Sequence, residues 1–326
     1  MRQGRASGAG ELQFTSSELT FAPAGLQPAK LSPLLRSWSS ASGRARLDGG
    51  LNWSPGTLAS HGRLQIEDLA LSSPVGRIEH VQADVALTSL YPLRSAAHQM
   101  LTVGQVDTLL PITGLGAHFE LLPESLTIED LSMQLVGGTV TLDRASVPFA
   151  TDGSIDSTLR LKDINLNKLI AASTLADRMT LDVPVSGAIP FSFGPSGLRL
   201  TNGLLFSTAP GHLAIDRRIW SAPQDQVGAV QDFAYQAMEH LAIDGLDAKL
   251  NSLADGRLGF VLHMKGHHDP PSASDTRLGI MDLLRGRAFE RPVPLPKGTP
   301  IDLTVDSALN VDGLVSTYRA GLSAPH

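Results

Sequence analysis

Apolar and polar residues alternate with a period of two along most of this chain. Val81, Ala83, Val85 and Leu87 alternate with Gln82, Asp84 and Ala86. Leu131, Met133 and Leu135 are separated by Ser132 and Gln134, and Leu159 and Leu161 stand among Thr158, Arg160 and Lys162. Leu258, Phe260, Leu262 and Met264 alternate with Arg257, Gly259, Val261 and His263, and Ile301, Leu303 and Val305 with Asp302, Thr304 and Asp306. Successive side chains of a strand point to opposite faces, so each run predicts a strand with one apolar face and one mostly polar face. Asp48-Gly49-Gly50, Asn202-Gly203, Asp244-Gly245 and Asp255-Gly256 supply the positive φ that tight turns require. Together these signals predict a mainly β protein, a long antiparallel meander. A Gly-x-apolar-x-apolar unit recurs around Leu64, Leu126, Leu200 and Leu258 without a fixed period, a weak internal repeat.

Few segments switch to helical spacing. The pattern predicts short helices over Ser32 to Trp38 and over Asn165 to Ala172, the latter with Asn165 as N-cap and Leu166, Leu169 and Ile170 on one face. A longer helix is expected over Gln224 to Leu241, and another over Val311 to Leu322. Gly266 to Ser274 reads as a polar loop, and the proline-rich stretch 292–299 as an extended lead into the last strand.

Composition narrows the function classes. The chain has 326 residues, long for one compact core, so it predicts two domains or one elongated one. Charged residues are only 18% against 42% hydrophobic, which argues against extensive disorder. The net charge of -6 and the scattered Lys and Arg argue against a nucleic-acid groove. There is no cysteine, which removes disulfides, thiolate metal sites and Cys nucleophiles. No stretch of about 18 apolar residues is present to span a bilayer, and the first ten residues carry two arginines without the apolar core of a signal peptide. The expectation is a fragment or truncated gene product whose membrane anchor lies upstream, the alternative being a cytosolic protein with a short disordered start.

Candidate chemistry is sparse. His263, His267, His268 and Asp269 form one histidine-rich group, but they read as a strand end and a solvated loop rather than the rigid four-ligand frame of a zinc site. Gly194-Pro195-Ser196-Gly197 lacks the strand–turn–helix setting of a nucleophile elbow and reads as a turn between Phe193 and Leu198. Gly114-Leu115-Gly116 is followed by no helix, so it is not a dinucleotide loop. No carboxylate pair stands out as general acid and base. The expectation is a protein without catalytic residues, metal or cofactor.

The apolar strand faces are the informative feature. Periodicity alone favours the commoner arrangement, in which a second sheet packs on each face. The same faces also fit an open groove that shields acyl chains. Each exposed methylene costs about 0.8 kcal/mol, so a chain of about sixteen carbons costs roughly 12 kcal/mol to hold in water.

Several segments, in order along nearly the whole chain, resemble the YdbH group of AsmA-like envelope proteins. They are Leu19-Thr20-Phe21-Ala22-Pro23-Ala24-Gly25-Leu26-Gln27-Pro28, Ala41-Ser42-Gly43-Arg44 with Leu51-Asn52-Trp53, Ile66-Glu67-Asp68-Leu69, and Phe119-Glu120-Leu121-Leu122-Pro123. Gly137-Gly138-Thr139-Val140, Val185-Ser186-Gly187-Ala188-Ile189-Pro190, Thr201-Asn202-Gly203, Ala209-Pro210-Gly211 and Met238-Glu239-His240-Leu241 continue the series. The resemblance is to the C-terminal part of the family and implies a long curved antiparallel sheet forming an elongated apolar groove. It also implies periplasmic phospholipid transport between inner and outer membranes. Its implied partners are phospholipid, a small outer-membrane lipoprotein added as a strand, and the inner membrane through an anchor absent from this chain. Some members carry the older label dicarboxylate transport, which would require converging Arg or Lys. On this basis residues 1–10 form an unstructured start, 11–310 the elongated β-groove domain, and 311–326 a C-terminal helix and tail. The candidate groove residues are Val85, Leu87, Leu131, Met133, Leu135, Leu159, Leu161, Leu258, Phe260, Leu262, Leu303 and Val305.

Overall fold

The structure, a computed structural model, describes residues 2–3, 8–31, 36–73, 76–108, 110–150, 152–171, 176–195, 197–216, 235–271 and 295–309. Its first strands are β1 (Arg2–Gln3), β2 (Gly10–Thr15), β3 (Leu19–Phe21), β4 (Ser39–Ser54), β5 (Thr57–Ser73), β6 (Gly76–Leu90) and β7 (Leu93–Ser95). Then follow β8 (Gln99–Asp107), β9 (Ile112–Leu121), β10 (Ser125–Leu135), β11 (Gly138–Leu142), β12 (Ala145–Pro148) and β13 (Ile155–Asn165). The remainder are β14 (Met179–Asp182), β15 (Pro184–Gly194), β16 (Gly197–Leu200), β17 (Gly203–Ser207), β18 (Gly211–Ile215), β19 (Leu241–Ser252), β20 (Leu258–His268) and β21 (Pro300–Leu309). Two short helices, α1 (Pro28–Leu31) and α2 (Leu166–Ala171), accompany them, with a helical turn at 235–239.

All 21 strands belong to one sheet, and every strand pairing in it is antiparallel. The ladder follows chain order. β2 and β3 share one edge of β4, which pairs with β5, and β5 pairs with β6. β7 and β8 lie along β6, then come β9, β10, the broken row of β11 and β12, and β13. The row of β14 and β15 follows, then that of β16, β17 and β18, then β19, β20 and β21. No second sheet packs on this one among the described residues. Alternation with a period of two therefore produces a single layer with an inner apolar face.

The connections alternate between two rims. One rim carries the hairpin turns that follow β4, β6, β9, β12, β15 and β19; the other carries α1, α2 and the helical turn. Asn165 caps α2, its Oδ1 accepting from the Asn167 N–H at 2.9 Å and the Lys168 N–H at 3.4 Å. That helix folds Leu166, Leu169 and Ile170 onto a cluster built around Val140, Val183, Val185, Leu241 and Ile243. A second cluster surrounds Phe21, Ala41, Leu69, Leu71 and Val103 near α1. There the Gln27 amide donates to the carbonyls of Ala22 and Ala41 at 2.6 and 3.0 Å, closing the chain before β4.

Several local expectations differ from the structure. Asp48-Gly49-Gly50 lies inside β4 rather than in a turn. Gly49 faces Phe14, and a Cβ there would sit 2.6 Å from the Phe14 ring, so the glycine makes room for an aromatic across the strands. Asp244-Gly245 marks a bulge within β19, whereas Asp255-Gly256 does turn between β19 and β20. Gly266 to His268 is the end of β20, so the loop begins at Asp269. Helix α1 starts at Pro28, ahead of the expected Ser32, and residues 32–35 lie outside the described residues. Of the helix expected over Gln224 to Leu241 only 235–239 is described, and Leu241 opens β19 instead. The helix expected at Val311 to Leu322 lies outside the described residues.

Candidate functional site: an apolar row across the sheet

Residues directly opposite one another in an antiparallel pair project to the same face. This lets the inner face be followed strand by strand. Leu19 opposes Ala45, which opposes Ile66, then Ala83, then Leu101. Leu101 opposes Ala117, then come Leu131, Leu142, Leu159 and Ile189. Two residues along β13, Leu161 opposes Gly187, followed by Leu205, Ala248, Leu262 and Val305. Every member is apolar, and the row runs from the first edge of the sheet to the last. Its fourteen rungs, spaced about 4.8 Å apart, give a contour of about 60 Å.

All twelve sequence-derived candidates sit on this face. Leu131, Leu159, Leu161, Leu262 and Val305 are in the row itself. Met133 opposes Val140, and Leu135 opposes Gly138. Phe260 opposes Leu250, Leu258 opposes Ser252, and Leu303 opposes Met264. Val85 and Leu87 share their face with Ala83, opposite Leu64 and Gly62. Val85 and Leu87 are already covered by protein, at 6% and 8% exposure, while the other ten are only half-buried. Sequence reading placed Ala83 on an apolar strand face but left it out of the candidate lining, as it did Ala117 and Ala248. These small residues continue the row between larger neighbours.

The outer face carries most of the charged side chains, many of them paired, alongside exposed Met100, Leu204, Phe206 and Val261. Arg63 holds the Asp84 carboxyl below its usual range chiefly by hydrogen bonding, and Arg160 does the same to Asp143. His80, His118 and His263 lie 2.7, 2.8 and 2.7 Å from Asp68, Asp130 and Asp302. His98 contacts Glu129, and His267 lies 3.4 Å from Asp244. Within the histidine-rich group, His263 and His267 thus go to separate carboxylates, and Asp269 pairs with Lys297. Among the described residues no group of three or more His, Cys, Asp or Glu is placed to hold a metal ion. A cleft of about 460 Å³ at the helix rim is lined by Asp177, Arg178, Asp216, Glu239 and His240 among others. Its carboxylates repel a dicarboxylate rather than recruit one.

His268 differs from the exposed histidines. It is buried opposite Leu241, its Nδ1 has no hydrogen-bond partner among the described residues, and burial pushes its pKa down. His240, Glu239 and Asp269 act on it from neighbouring segments. A base with a depressed folded pKa stays neutral while the unfolded chain takes up a proton. Stability is therefore whole above the unfolded value of about 6.5 and declines as pH falls below it. Urea midpoints at pH 7.5 and 5.5 should show a smaller acid loss in His268→Leu than in the parent; equal losses would show that His268 does not contribute.

A family model described as intermembrane phospholipid transport protein YdbH matches residues 2–275. The chain belongs to the YdbH-like family. That family is one of lipid transport proteins rather than enzymes, and transport between membranes sets it in the cell envelope. No curated protein and no solved structure matches the chain at a significant level. Among the described residues of this YdbH-like chain, no helix is long and apolar enough to cross a membrane.

Proposed function

We propose that this YdbH-like chain conducts phospholipid along the apolar inner face of its sheet, as one segment of a non-enzymatic path through the periplasm. The observation that carries this reading is the unbroken apolar row from Leu19 to Val305. Acyl chains laid along it lose their exposure to water, and the contacts that replace it are weak and non-directional, so a lipid can slide. Polar headgroups need no partner on the inner face, because they remain in solvent. The candidate lining is the half-buried set Leu131, Met133, Leu135, Leu159, Leu161, Leu258, Phe260, Leu262, Leu303 and Val305, with Val85 and Leu87 beneath it.

The ends of the sheet define where the path would continue. Among the described residues β21 pairs only with β20, which leaves its other edge available for an added strand. A small outer-membrane lipoprotein is the partner proposed for that edge, and an anchor outside this chain is the proposed link to the inner membrane. Photo-crosslinking amino acids at Phe260 and Leu303 should yield phospholipid adducts in cells. Adducts to protein alone at both positions would overturn the proposal.

A further inference from the structure

We infer that the hairpin-turn rim is a lateral mouth, the edge over which phospholipid acyl chains pass sideways between a lipid surface and the inner face. The inference rests on the proposed phospholipid path and adds where that path opens. The deepest burial lies at one rim, although Leu31 and Trp38 stay exposed there. Leu241, Ile243, Val183 and Val185, among the most deeply buried side chains, lie toward the helix rim. α2 and Met238 of the helical turn pack against their cluster and seal that side. At the opposite ends of the strands the inner face is bare. Phe193 and Leu198 oppose each other there at 50% and 49% exposure, and Leu58 is 63% exposed opposite Trp53. Tyr91, 86% exposed, and Phe149, 55% exposed, stand in turns of the same rim.

The chemistry of this rim fits a lipid surface. Phe193 lies on the strand and face of Ile189, so the rim is continuous with the apolar row. Its exposed groups include Tyr, Phe and Leu, and Trp53 is half-buried beside them; such side chains suit the boundary between headgroups and acyl chains. Of the six turns on this rim, those at 54–57, 90–93 and 194–197 contain no charged residue, while those after β9, β12 and β19 carry Glu124, Asp152, Asp255 and Arg257. The helix rim bears more charge, with Lys30, Lys168, Arg178, Glu239, Asp269 and Lys297. A protein partner would be expected to find some polar anchors on its target, and the turns at 54–57, 90–93 and 194–197 supply no charged ones.

Tryptophan fluorescence of the full chain tests the assignment. The double variant Trp38→Phe/Trp220→Phe keeps Trp53 at the hairpin rim, and Trp53→Phe/Trp220→Phe keeps Trp38, which precedes β4 at the helix rim. Phosphatidylcholine vesicles with brominated acyl chains should quench Trp53 and leave Trp38 emission unchanged. Leu198→Asp should slow uptake of a fluorescent phospholipid by about tenfold, and Leu198→Ala by less, in proportion to the apolar area removed. Both substitutions fall at an exposed position, and an unchanged circular dichroism spectrum verifies the fold. Equal quenching of both tryptophans, or uptake unaffected by Leu198→Asp, overturns the lateral mouth while leaving the phospholipid path standing. Absence of any uptake by the parent chain overturns both.

Discussion

Gly187→Ala is expected to destabilise the protein by about 3 kcal/mol, one of the largest effects available from a single added methyl group. Gly187 is the one member of the apolar row without a side chain, held between Leu161 and Leu205. A Cβ at this position would lie 2.0 Å from the carbonyl oxygen of Leu204 and 2.9 Å from the Cα of Leu205. Both are backbone atoms of the neighbouring strand, so no side-chain rotation relieves the overlap. β15 and β17 must part, beside the cluster that contains Val185. Gly245→Ala is the matched control, since a Cβ there meets nothing within 4 Å. Urea denaturation should place the Gly187→Ala midpoint well below those of the parent and the control. Coincident midpoints would show that the sheet absorbs the methyl group without separating.

Leu159→Asp is expected to lower the phospholipid recovered with the purified protein by at least about tenfold. Leu159 lies mid-row, facing Leu142 on one side and Ile189 on the other. A carboxylate there must either stay hydrated, and hold water on the path, or take up a proton in apolar surroundings. Leu159→Met keeps volume and polarity and should retain the lipid. Arg160→Ala, one residue away on the outer face, removes the exposed pair with Asp143 and should also retain it. Phosphate analysis of extracted lipid reads all three variants. Equal loss in Leu159→Asp and Arg160→Ala would mean that the face does not matter; no loss in either would mean that lipid does not run over Leu159.

The apolar strands were legible because alternation is a local property. Leu258, Phe260 and Leu262 announce a two-sided strand without reference to any other part of the chain. Their shared face with Leu131 and Val85 was not legible, because a period of two fixes that there are two faces but not which one a neighbour shares. Register fixes it, through pairings such as Leu205 with Ala248, and register depends on hydrogen bonds between distant segments. The glycines divided along the same line. Gly256 adopts positive φ in a turn, as the dipeptide rule expects. Gly49 and Gly50 serve a cross-strand approach of Phe14 and His61, which only the folded neighbours reveal. Asn165 was readable as a cap because its acceptor and the N–H groups it serves lie within three residues.

The strictly sequential ladder has a consequence for how such a molecule changes over time. Each rung hydrogen-bonds only to the rung before and the rung after, so the backbone contribution to stability approximates a sum of nearest-neighbour terms, as in repeat proteins. Gaining or losing a pair of rungs keeps strand direction and inner-face parity intact, and alters the span by about 10 Å. Reach can therefore evolve in steps while the cross-section is conserved, much as a ladder is lengthened without redesigning its rungs.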